Sequence, residues 1–165
     1  METMMPLTYQ PYDSDWVAAI RSGAPDANGQ PAERSISDGG GNPCRHCLDE
    51  IPKGAPMLIC AARPFPELQP YAEAGPIFLC ADACVAYSGT SQPPVLKNRS
   101  ECLLKAYGSN NRIIYGSGRI TPTSEVESYC ETLFSDEKVA YVDVRSATNN
   151  CFTFRITRRN DPSSR

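Results

Sequence analysis

Pro43-Cys44-Arg45-His46-Cys47-Leu48 places two cysteines two residues apart in a turn, and a second pair, Cys80 and Cys84, follows after the intervening residues 48–79. A C-x-x-C turn points two sulfurs at one spot, and a tetrahedral zinc ion takes four thiolates at about 2.3 Å each. Asn42-Pro43 before the turn and Gly54 after it are suited to a tight knuckle. Pro52, Gly54 and Pro56 stop a helix from running on, and Met57 to Arg63 (MLICAAR) then reads as a buried strand closed by Pro64. Residues Phe65 to Ala74 are an irregular excursion, and Gly75 to Leu79 (GPIFL) is a second strand that delivers Cys80 at its end. Ala81 to Tyr87 reads as a helical turn with Asp82 near its start and Cys84 inside it. Knuckle, hairpin and helix start make a treble-clef-like plan for a structural zinc at Cys44, Cys47, Cys80 and Cys84, although the C-x-x-x-C of the second pair is looser than a second C-x-x-C.

Two other readings of these cysteines stay open: thiols without metal, and redox or disulfide chemistry at Cys44 and Cys47. The redox reading needs a thiolate at the start of a sustained helix, which Pro52 and Pro56 oppose. His46 is the only histidine, so any Cys-His or Ser-His dyad must use it. Lying between two converging cysteines, its side chain is expected to point outward.

Outward from the knuckle, the chain reads as one domain, residues 1–165. It has an N-terminal part (1–43), the cysteine-pair subsite (44–88), a hairpin, helix and closing strands (100–158) and a tail (159–165). Its 165 residues with 41% hydrophobic content suffice for a real core. Sixteen basic against nineteen acidic residues leave a net charge of -3, without the basic excess that binding a phosphate backbone requires. Met1 to Gln10 has no basic start and apolar run, and no stretch reaches the roughly 18 apolar residues of a membrane span. A cytoplasmic setting follows as the expectation, in which eight cysteines are thiols or metal ligands.

Asp13 to Arg21 predicts a short helix with Trp16, Val17 and Ile20 on one face, Asp13 or Ser14 as cap and Gly23 as stop. Residues 23–43, rich in Gly, Pro, Asn, Asp and Ser, read as loop. Glu101 to Tyr107 alternates Cys102, Leu104 and Ala106 on one face, and Gly108 to Asn111 turns it into a partner strand, Arg112 to Ile120. A helix is expected from about Pro122 to Ser135, with Val126, Tyr129, Cys130, Leu133 and Phe134 at helical spacing. Lys138 to Arg145, with Ala140, Val142 and Val144 inward, and a strand carrying Phe152, Phe154 and Ile156 close the domain around the Ser146 to Asn150 turn. Strands outnumber helices and do not alternate with them. The class is therefore α+β, a mainly antiparallel sheet with one longer and one or two short helices plus the four-cysteine subsite.

Of the remaining cysteines, Cys60, Cys102 and Cys130 fall on core faces, where cysteine behaves as a small apolar residue. Cys151 lies on the face opposite Phe152 and Phe154 and could line a cleft. Arg45, Arg63, Arg99, Arg119 and Arg145 sit at predicted strand ends or turns and are expected to be solvated there. Were some to converge, Arg63, Tyr71, Arg145 and Cys151 are the set that could hold a small anionic molecule. No P-loop, G-x-S-x-G or H-E-x-x-H motif occurs.

The order of these blocks, Pro43 to Leu48, Arg63-Pro64-Phe65, Pro70 to Phe78, the Ala140 to Arg145 strand and Asn150-Cys151-Phe152, resembles the bacterial domain-of-unknown-function family 1203 over about residues 40–158. The resemblance implies a bacterial, cytoplasmic protein and no substrate. It also implies that histidine can stand at the position of Cys80, an exchange that a zinc ligand tolerates and a disulfide does not. The histidine that relatives carry near Ser146 is missing here, where Ser146 and Asn150 stand. The leading expectation is a small zinc-stabilised binding module with a protein or small anionic ligand as partner. An enzyme or anionic-ligand cleft comes second, and a thiol redox sensor third.

Overall fold

The computed structural model describes residues 6–159 as two antiparallel sheets, each backed by one helix. The larger sheet runs, from edge to edge, Leu7–Gln10 (β1), Phe152–Arg158 (β8), Tyr141–Ser146 (β7), Glu101–Tyr107 (β5) and Arg119–Pro122 (β6). Helix Val126–Phe134 (α2) lays Val126, Cys130 and Phe134, spaced four apart, onto Leu104, Val142, Val144 and Phe154. Full burial of Val126 and Phe134 contributes about 1.5–3 kcal/mol each.

The smaller sheet is Glu33–Ile36 (β2), Pro56–Ala62 (β3) and Gly75–Cys80 (β4), in that order. Helix Ser14–Arg21 (α1) buries Val17 and Ile20 against Met57, Leu58, Ile77 and Leu79 of this sheet. Its cap is Asp13, whose carboxylate accepts the Trp16 N–H at 2.9 Å, and Gly23 with φ 97° ends it in the left-handed region that favours glycine.

The knuckle, residues 43–50, straddles the two cores. Cys44 packs with the smaller sheet, Leu48 with the larger, and both are fully buried. Arg45 joins the halves. Its Nε donates to Phe152 O and its Nη1 to Pro43 O, both at 2.7 Å, while its backbone N–H donates to Phe78 O at 3.0 Å. A small third cluster of Phe65, Tyr107 and Tyr141 fills the seam, with the two tyrosine rings stacked at 5.2 Å.

Several expectations need correction. Glu33–Ile36, inside the expected loop 23–43, is a strand; all four of its side chains are exposed, so no alternation marks it and backbone pairing with β3 alone holds it. Leu7–Gln10 is likewise a strand, with Leu7 and Tyr9 buried. The expected strand Arg112 to Ile120 forms only from Arg119, because Asn111 (φ 63°) and Gly116 (φ 89°) bend the preceding chain into a loop. Buried Ser117 pins that loop by accepting the Ala106 N–H at 3.0 Å.

The helix expected from Pro122 starts at Val126, since Pro122 still pairs with Glu101 in β6 and Thr123–Glu125 makes a 3-10 turn. No helix forms over Ala81 to Tyr87. There Ala81 N–H donates to Pro56 O and Tyr87 N–H to His46 O, so these amides are satisfied across the fold instead of along a helix. The alternation expected in Lys138 to Arg145 is absent as well: Tyr141 through Arg145 are all buried, because β7 lies between β8 and β5 and is covered on both faces.

Candidate metal centre

Three chain segments bring the four cysteines together. The knuckle supplies Cys44 and Cys47, the end of β4 supplies Cys80, and the irregular chain beyond it supplies Cys84. The parallel bridge between Cys44 and Phe78 sets the knuckle beside β4. All four sulfurs lie within 4.8 Å of one another, with Cys44 Sγ 3.9 Å from Cys84 Sγ and Cys47 Sγ 4.0 Å from Cys80 Sγ. Four ligands at 2.3 Å around one centre would stand about 3.8 Å apart, so the set can hold a tetrahedral ion. Cys44 is wholly buried and the other three are partly exposed.

The surroundings suit negative charge on sulfur. Backbone N–H groups of His46 and Cys80 donate to Cys44 Sγ at 3.4 and 3.3 Å. The role expected of a helix start at Cys84 is taken by α1 instead: Arg21 Nη2 donates to Cys84 Sγ at 3.0 Å and Arg21 Nε to Cys80 O at 3.0 Å. Contacts with the Cys47 and Cys80 thiols hold the Cys44 pKa far below its ordinary value, and the Cys44 sulfur in turn pushes Cys47 up to about 12 and raises Cys80. Neighbouring sulfurs cannot all ionise unaided, whereas a central cation favours every thiolate at once.

His46 does not point outward. It is 4% exposed, with Nδ1 3.1 Å from Cys84 Sγ and Nε2 2.9 Å from Ser14 Oγ. Burial, then Arg21, lowers its pKa, which favours a neutral ring. With the proton on Nδ1, that nitrogen would donate to the Cys84 sulfur and Nε2 would accept the Ser14 hydroxyl, so His46 is placed to orient the Cys84 side chain.

The other singled-out residues do not form one site. Arg63 borders a cleft of about 400 Å³ together with Tyr12, Trp16, Phe65 and Phe152. Arg145 and Cys151 border a separate cavity of about 170 Å³, where Arg145 Nη1 donates to Asn150 O at 3.1 Å. Tyr71 lines neither. Its hydroxyl meets that of Tyr115 at 2.8 Å, and Arg112 lies over its ring.

Among the arginines expected to be solvated, Arg45 and Arg145 are 4% and 5% exposed, which corrects that reading for both. Burial lowers the Arg45 pKa to about 10, still charged at neutral pH. Arg99 pairs with Glu50 at 2.7 Å, and Arg119 pairs with Glu125 at 3.2 Å. Cys60, Cys102 and Cys130 are buried in the cores as expected, and burial raises their thiols to about 11, 11 and 12.

Sequence reasoning missed a buried ion pair beside the seam. Asp143, fully buried, accepts from Arg155 Nε at 2.7 Å and from Nη2 at 3.2 Å, and the guanidinium lies 3.8 Å from the Tyr141 ring centroid. The signal was an aspartate between Val142 and Val144 in a core strand, facing Arg155 in register.

The fold and site together define a two-sheet α+β protein with a four-cysteine cluster able to hold a metal ion. The profile of the family described as protein of unknown function DUF1203 matches residues 41–158, more than two thirds of the chain, and the chain belongs to that family. No curated protein and no solved structure matches it significantly. Among the described residues, no helix is long and apolar enough to cross a membrane.

Proposed function

We propose that the protein is a small binding module whose knuckle half is stabilised by a structural zinc ion held by Cys44, Cys47, Cys80 and Cys84. The observation that supports this reading is the convergence of four sulfurs from three chain segments to within 4.8 Å. Two backbone N–H groups, Arg21 and His46 direct positive or donor character at them. With four protein ligands the site is closed to substrate, so the zinc serves the fold and no reaction takes place on it. A reducing, cytoplasmic setting fits this use of eight cysteines. A sensor pair, by contrast, needs both thiols accessible to exchange, and of Cys44 and Cys47 only Cys47 is partly exposed.

Elemental analysis joined to native mass spectrometry tests the proposal. The protein purified without chelator carries one zinc per chain, and Cys47→Ser and Cys80→Ser lose it. A metal-free chain that also fails to take up added zinc would overturn it.

A further inference from the structure

We propose that the cleft between α1 and the Arg63–Pro66 turn binds a small carboxylate with a flat apolar body, the carboxylate on Arg63 and the body against Trp16. The inference rests on the binding-module reading and gives that module a ligand class. The cleft, about 400 Å³, lies within the size range of small-ligand pockets. Its apolar lining combines prolines with an aromatic wall in which Trp16 packs against Tyr12 at 4.8 Å between centroids and Tyr12 meets Phe152 edge-on at 5.8 Å. Such a wall receives a flat ring by stacking and offers little to a bulky polar solute.

The charged groups of the cleft divide into those already used and one that is free. Arg155 is committed to Asp143 and to Pro64 O, and the Asp13 carboxylate caps α1. Arg63 is different. Among the described residues its guanidinium makes one hydrogen bond, from Nε to Ala72 O at 3.2 Å, and no ion pair, which leaves its Nη atoms open to a carboxylate. Tyr12, in the same wall, has a hydroxyl buried behind the ring surface without a hydrogen-bond partner among the described residues, so it is not a ligand contact. A neutral aromatic would leave the arginine unpaired; an aromatic carboxylate satisfies the stacking wall and the cation together.

The cleft wall is also tied to the cysteine cluster. The helix that presents Trp16 is held at one end by Ser14 on His46 and at the other by Arg21 on Cys84 and Cys80. Order in the cluster therefore sets the position of the indole.

Trp16 is the only tryptophan of the chain, so its fluorescence reports on the wall of this cleft and, through α1, on the cysteine cluster, which is why zinc content is followed beside it. Phenylacetate, and phenylacetamide as its neutral counterpart, are titrated into the full chain, with zinc content and circular dichroism measured on every sample. The expected result is a saturable change in Trp16 emission with phenylacetate. Binding is at least tenfold weaker for phenylacetamide, tenfold weaker in a folded Arg63→Gln variant, and largely kept in Arg63→Lys. No saturable change, equal affinity for the amide, or unaltered affinity in Arg63→Gln would overturn the proposal. The two readings fail separately: a zinc-loaded protein blind to phenylacetate refutes the cleft alone, while selective phenylacetate binding by a chain that never holds zinc supports the cleft and refutes the metal.

Discussion

If the four cysteines hold zinc as proposed, stripping it should loosen one half of this protein before the other. Thirty-two residues, 48–79, separate Cys47 from Cys80. Treated as a cross-link, a clip closing that loop restricts the unfolded chain by about 3.7 kcal/mol at 25 °C. Treated as a ligand released on unfolding, zinc at about 100 times its Kd contributes about 2.7 kcal/mol. Both routes give ~3 kcal/mol, about a hundredfold in an opening equilibrium at 1.36 kcal/mol per tenfold.

The loss is local because the cores are distinct. Cys44, Cys47, Cys80 and Cys84 pack with the cluster of β3, β4 and α1, whereas β5, β7, β8 and α2 bury their own apolar faces. Amide hydrogen exchange on chelated protein, and on Cys47→Ser, should show protection in β3 and β4 falling by about a hundredfold while β7 and β8 change little. Unchanged protection in β3 and β4 after verified zinc removal would refute the reasoning. An equal fall in both sheets would show that they open as one unit.

Two further outcomes are expected. Asp143→Asn removes a fully buried carboxylate and leaves the partly buried Arg155 without its counter-charge, so urea unfolding should report a loss of about 3 kcal/mol; a loss below about 1 kcal/mol would mean that the pair is effectively solvated. Asp26 accepts the Ala61, Gln30 and Asn28 N–H groups, the first of which chiefly lowers its pKa. Its contribution is therefore complete above its unfolded pKa of about 4 and is lost as pH falls through the lower folded value, so the stability gap between the wild type and Asp26→Asn should be full at pH 6 and shrink in acid.

How far the sequence can be read depends on where each signal resides. The hairpin of β3 and β4 is legible because its apolar runs are bounded by prolines and glycine, and observed and expected limits differ by one residue. The convergence of the cysteines is legible from the C-x-x-C turn and the strand that ends at Cys80. β2 is not, because an exposed edge strand carries no burial pattern; its information sits in backbone pairing to β3. The missing helix at Ala81 to Tyr87 has a similar cause, since its amides answer to Pro56 and His46, far away in the chain. Arg21 reads locally as an ordinary basic residue in a last helical turn. Only the packing of α1 on the smaller sheet carries it to Cys84.

Arg45 fastens the knuckle to the larger sheet through carbonyl oxygens, Pro43 O and Phe152 O, and every residue type has a carbonyl. The acceptor positions are therefore free to drift in side chain without losing the fastening, and the whole chemical requirement falls on one residue. Lysine there would bring a compact ammonium in place of a planar fork that reaches two acceptors at once. Phe152 is itself buried, so among sequence variants selected for folding, other apolar residues should appear at position 152, keeping the carbonyl, before any substitution appears at Arg45.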